Sequence, residues 1–82
     1  MINEADVRDA IKGVAGSDTA MQIPVEETFA DAGIDSLDHT NILLRLQERH
    51  NLVVPDEALD ECSSINGILA FAQRQEDATG GG

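Results

Sequence analysis

Tyrosine and tryptophan are absent from this sequence, phenylalanine and proline occur twice each, cysteine once, and only five of the 82 residues are basic. Each shortage excludes something. With so few aromatics, the core must be built from Leu, Ile, Val and Ala. A single cysteine, Cys62, rules out an internal disulfide, and nothing points to an oxidising compartment. Five bases against sixteen acids give a net charge of -11, which repels a phosphate backbone, so nucleic acid is not an expected partner. No apolar run approaches the roughly 20 residues of a membrane-spanning helix. Met1 to Glu4 offers no basic region followed by an apolar run, so no signal peptide is expected. The expectation is a soluble, cytoplasmic, monomeric protein. Its acidity can steer association with basic proteins or simply keep a small domain in solution, and charge alone does not choose.

A chain of this length makes one domain, of a size that buries only about 60 % of its unfolded surface. Residues 3 to 15 carry Val7, Ala10, Ile11 and Val14 at i, i+3, i+4 and i+7, the stripe of an amphipathic helix. Asn3 is placed to cap it, Ile2 and Val7 have staple spacing, and Gly16 is placed to end it. Residues 17 to 35 show no sustained periodicity and hold five acids, which reads as a long first loop anchored by Phe29. Residues 36 to 50 are expected to form the second helix, with Ile42, Leu43, Leu46 and His50 facing inward and His39 on the same side. Leu37 and Leu44, seven apart, fall on a different face and are expected to be partly exposed, a candidate docking patch. A short third helix is expected over 56 to 62. Ser63 or Ser64 then caps a fourth helix to about Gln75, with Ile65, Ile68, Leu69 and Ala72 as its stripe and Phe71 at the edge. The expectation is an all-α four-helix bundle, three main helices and a short third one, spanning residues 1–76, with a flexible tail at 77–82.

Several chemistries fail on spacing. Asp31 to Ser36 lacks the oxygen ligands and glycine of a calcium-binding helix–loop–helix. No cysteine or histidine cluster offers zinc a tetrahedral set, and His39 and His50 lie three helical turns apart. No glycine-rich phosphate loop is present. Ser36 as a catalytic nucleophile would need a base, an orienting acid and oxyanion donors. His39 could approach it, but no strand–turn–helix elbow precedes the serine and the chain has little interior for a substrate. The protein is not expected to be an enzyme.

On local chemistry alone Ser36 is a helix cap. Its surroundings point further. A long acidic loop delivers a small hydroxyl to the start of a helix, where a phosphodiester would meet free backbone N–H groups and the positive end of the helix dipole. The stretch Gly33-Ile34-Asp35-Ser36-Leu37-Asp38 resembles the attachment motif of acyl carrier proteins, Gly-x-Asp-Ser-Leu followed by an acid. Phe29, Leu46, Pro55-Asp56 and the stripe from Ile65 to Phe71 also fall where that family has matching residues.

The resemblance implies a four-helix carrier whose Ser36 bears a covalent 4'-phosphopantetheine arm. The arm would hold acyl groups as thioesters and pass them between acyl-loading, condensing or acyltransferase enzymes of fatty-acid, lipid or polyketide-type biosynthesis. It further implies that Asp35 and Asp38 meet the basic surface of a phosphopantetheinyl transferase, that Leu37 and Leu44 contact partners, and that Ile42, Leu46, Val54, Leu59 and Cys62 line an acyl pocket. Cys62 would then be a small hydrophobe. The chain departs from the family in its second helix, which is usually rich in glutamate. Here Asp38 and Glu48 are balanced by Arg45 and Arg49, Asn41 and Gln47 are neutral, Ala32 replaces a common leucine and His50 a common aromatic. That pattern resembles a specialised freestanding carrier with its own enzymes. An aminoacyl or peptidyl carrier, and an unmodified acidic helical adaptor with Ser36 as an ordinary cap, are the other readings.

Overall fold

The computed structural model describes residues 2–80, with side chains as far as residue 75. The chain is all-α, with four helices and no strand among the described residues. Helix α1 (Glu4–Ala15) opens with a reciprocal capping box: Asn3 Oδ1 accepts from the Asp6 amide at 2.9 Å, and Asp6 Oδ2 accepts from the Asn3 amide at 3.1 Å. Ile2 and Val7 are both buried in the core, as their staple spacing requires. Gly16, at φ 99°, ends the helix and donates its N–H to Lys12 O. The other helices all pack on α1.

The first loop contains a helix that the sequence pattern did not reveal, α2 (Ser17–Gln22). It is too short for a periodic stripe, and only its Ala20 and its C-cap, Ile23, reach the core. A tertiary contact stabilises its end. Arg8 of α1 donates through Nη1 to Ala20 O at 2.7 Å and to Ile23 O at 2.9 Å, while its Nε pairs with Glu4. Those carbonyls belong to the last turn, where a helix has no partners of its own. The rest of the loop is stitched to the far end of the sequence. The Phe29 amide donates to Ser63 O at 2.8 Å, the Asn66 amide to Val25 O at 2.9 Å, and Thr28 and Ser64 form an isolated antiparallel bridge.

Helix α3 (Ser36–His50) buries Ile42, Leu43 and Leu46 as its stripe requires. His50 does not follow them and is exposed. The chain turns at Asn51, in the left-handed region at φ 56°, and Leu52 enters the core instead. The helix expected over 56 to 62 is only a 3₁₀ turn, Asp56–Ala58, followed by further turns. Several carbonyls there are engaged outside a regular helix: Asp60 O by the Ser63 hydroxyl, Cys62 O by His39 and Ser63 O by Phe29. The short helix of the bundle therefore lies before α3 and not after it.

Helix α4 (Ile65–Gly80) is capped by Ser64, whose Oγ accepts from the Gly67 amide at 3.0 Å. It continues beyond Gln75, so residues 77–80 of the expected tail are its last residues, while 81 and 82 lie outside the described residues. Gln75 clamps the 51–55 link through its side-chain amide, donating to Val53 O and accepting from Val53 N.

Gly67 is the tightest backbone approach. A Cβ there would sit 2.0 Å from Glu61 O, a main-chain atom that no rotamer change can move. Gly67→Ala is therefore expected to destabilise the domain by about 1–3 kcal/mol, despite alanine's better helix propensity. A urea midpoint equal to or above that of the parent would refute this close approach.

Candidate functional site

Residues 28 to 38 form a compact presenting turn. The Phe29 carbonyl accepts from the Ile34 amide at 2.8 Å and from the Ala32 amide at 3.1 Å. Phe29 and Ile34 are buried, so both arms of the turn are anchored in the core. Gly33 between them has φ 85°, the region that favours glycine. A Cβ there would meet nothing within 4 Å, so conformation, not close approach, requires the glycine.

The turn delivers Asp35 as the N-cap of α3, and its Oδ1 accepts from the Asp38 amide at 2.8 Å. Ser36 is therefore not the cap. It is the first helical residue, exposed, and its hydroxyl has no partner among the described residues, while its carbonyl accepts from Thr40 Oγ1. The first amides of a helix have no intrahelical acceptor, so a phosphodiester on Ser36 fits an open site at the positive end of a 15-residue helix.

His39 is turned away from Ser36. Its Nε2 donates to Cys62 O at 2.7 Å, and its ring packs edge-on against Phe29 with centroids 5.1 Å apart. The imidazole is committed to holding the loop and the 59–62 turns together, so it is not available to Ser36 as a base. No group of three or more potential metal ligands exists among the described residues.

Of the residues singled out for recognition, Asp35 and Asp38 stand on either side of Ser36 in the chain, Asp35 exposed and Asp38 half-buried. Leu37 is 69 % exposed and Leu44 46 % exposed, and their seven-residue spacing puts them on one side of α3, two turns apart. Of the pocket candidates, Ile42, Leu46 and Cys62 are fully buried in one core cluster, and Val54 and Leu59 are half-buried against it. The structure adds Arg8 and Gly67, which hold the loop and the α4 start. Neither carries a sequence signal, because each depends on a main-chain atom distant along the chain.

The Cys62 thiol is pushed up from 9.0 to about 11, first by burial and then by the Glu61 carboxylate, with Arg74 pulling the other way. The folded state thus holds the thiol protonated where the unfolded chain ionises. The resulting stability is fully present below pH 9.0 and is lost as pH rises to about 11. At about 1.4 kcal/mol per pH unit, the loss is at most about 3 kcal/mol. The urea midpoint is expected to fall across that window, and to fall less in Cys62→Ala. Equal slopes in the two proteins would refute it.

Comparison with known proteins identifies the family. Residues 5–72 match the family model described as phosphopantetheine attachment site. The chain is 33 % identical over 66 residues to an acyl carrier protein of Clostridium acetobutylicum, covering 79 % of this chain and 84 % of that one. It is 26 % identical over 68 residues to an acyl carrier protein of Helicobacter pylori, covering 83 % and 87 %. A mitochondrial acyl carrier protein of Dictyostelium discoideum is 26 % identical over 80 residues, covering 94 % and 67 %. No solved structure gives a significant match. On the family match and these relatives, the chain belongs to the acyl carrier proteins, the family of carriers with a covalently attached 4'-phosphopantetheine.

Proposed function

We propose that Ser36 is the attachment residue and that the chain carries acyl groups between enzymes of fatty-acid, lipid or polyketide-type biosynthesis in the cytoplasm. The observation that carries this reading is the exposed, unpartnered Ser36 hydroxyl at the first position of α3, inside the residues that match the family. When bound, the arm supplies a terminal thiol on which acyl groups are held as thioesters.

The chain's own residues do the rest. Phe29 and Ile34 fix the turn, Gly33 sets its direction, and Asp35 keeps the helix start closed so that Ser36 stands in solvent. Asp35 and Asp38 place negative charge beside the hydroxyl, which favours a transferase with a basic surface. Leu37 and Leu44 offer apolar contacts to the enzymes that load and unload the carrier. Ile42, Leu46, Val54, Leu59 and Cys62 form one apolar cluster into which an acyl chain could be drawn by displacement of side chains. With His39 bonded elsewhere, Ser36 serves as an acceptor of the arm and not as a catalyst.

The test is an intact-mass measurement on the apo protein after incubation with coenzyme A and a broad-specificity phosphopantetheinyl transferase. A gain of one arm is expected, and no gain would overturn the reading. Offering the loaded form acyl-CoA or amino-acid adenylates, each with a matching loading enzyme, then separates an acyl from an aminoacyl carrier.

A further inference from the structure

Three of the four arginines are in ion pairs: Arg8 with Glu4, Arg49 with Asp9 and Arg74 with Glu61. Arg45 makes neither an ion pair nor a hydrogen bond among the described residues, although the chain has sixteen acids for five bases. It lines an open groove of about 420 Å³ between α1 and α3, together with Gly13 and Val14 of α1 and Asp38, Asn41 and Leu44 of α3.

Gly13 explains where the guanidinium lies. A Cβ on Gly13 would sit 2.6 Å from Arg45 Nη1 and 2.7 Å from Cζ, so the guanidinium rests against bare helix backbone. Contact on that side removes water from a group that is already weakly hydrated, and its planar fork of donors matches a carboxylate. Leu44, next to it in sequence, is half exposed on the same groove.

We propose that this groove is a protein-docking site whose occupant seats a carboxylate side chain on Arg45 and an apolar side chain against Leu44 and Val14. This rests on the carrier reading, because it assigns the groove to an enzyme that meets the helix beginning at Ser36. Arg45 follows Ser36 by nine residues, about 13 Å along the helix axis and half a turn round it, and Asp38, two residues after Ser36, lines the same groove and brings it to the start of the helix. Charge complementarity selects the class of occupant. Asp38 and Glu48 also line the groove, so a polyanion would meet two carboxylates and a net charge of -11 for one guanidinium. A protein segment can place one acid on Arg45 and its own bases toward Asp38 and Glu48.

The probe is a synthetic amphipathic helical peptide with leucine and glutamate four residues apart and lysines at its flanks, compared with the same peptide carrying glutamine for glutamate. Each is titrated by NMR into isotope-labelled holo protein. Saturable shifts are expected at the Arg45 Nε–H and at the Gly13 and Asn41 amides, at least fivefold weaker in affinity for the glutamine peptide. Arg45→Gln is expected to abolish the difference between peptides. Gly13→Ala, which favours the helix but displaces the guanidinium, is expected to weaken the glutamate peptide several-fold. Equal affinity for both peptides, or shifts confined to other residues, would overturn the proposal. So would the same shifts with sodium acetate alone, or with phosphatidylglycerol vesicles in place of the peptide. The arm on Ser36 is scored by mass in the same samples, so failure of the carrier reading is seen separately from failure of the groove.

Discussion

Replacement of Ser36 by alanine is expected to abolish the mass gain completely while leaving the melting temperature within experimental scatter of the parent. Both halves come from the same geometry. The Ser36 hydroxyl is exposed and has no partner among the described residues, so nothing in the fold depends on it. Alanine is the best helix former and suits the first helical position. The cap that would be sensitive to truncation, worth about 0.5–2 kcal/mol, belongs to Asp35, which remains. The expected change in stability is therefore within about 0.5 kcal/mol, as for other surface substitutions. If Ser36 were itself the cap, Ser36→Ala would lower the urea midpoint. If another residue took the arm, the mass gain would survive. Either result would contradict the site described above, and intact mass and urea denaturation on one preparation distinguish them.

Phe29→Ala is expected to cost about 3–5 kcal/mol, the range for deleting a fully buried aromatic. Phe29 is 1 % exposed and lies at the junction of the loop, α3 and the start of α4. Its ring packs against His39, its amide is bonded to Ser63 O and its carbonyl to the amides of Ile34 and Ala32. Small domains have only about 5–15 kcal/mol in total, so the loss is a large share of what holds this one together. At roughly 4–8 °C per kcal/mol, the melting temperature should fall by more than about 10 °C. Local order should fail before the whole does. Amide exchange at residues 28–38 is expected to accelerate more than exchange in the middle of α1, and arm transfer to Ser36 should slow as the turn loses its shape. A melting temperature within about 5 °C of the parent would show that Phe29 is not the anchor proposed. Uniform acceleration of exchange would show that the turn is not a separable unit.

The sequence by itself was enough for the elements whose causes are local. The i, i+3, i+4, i+7 stripes of α1 and α4, the Asn3 cap and the Gly16 stop rest on residues within a few positions of one another, and the structure has them. The Gly33 to Asp38 motif is contiguous and was likewise legible, as was the exposure of Leu37 and Leu44 from their angular offset on α3. Tertiary structure decided the rest. α2 has too few apolar residues for a pattern and depends on Arg8 reaching its last carbonyls from a different helix. The 56–62 segment has helix-like composition, but its neighbours engage carbonyls there, leaving a single 3₁₀ turn. His50 satisfies the stripe of α3 and is exposed because the chain reverses at Asn51 before anything covers it. Both serine and aspartate are good caps, and only the backbone geometry placed Asp35 in that role, leaving the Ser36 hydroxyl free. A periodic pattern records which face of a helix is apolar. It does not record which distant main-chain atom will bind a side chain, and here such atoms decide how Ser36 is presented.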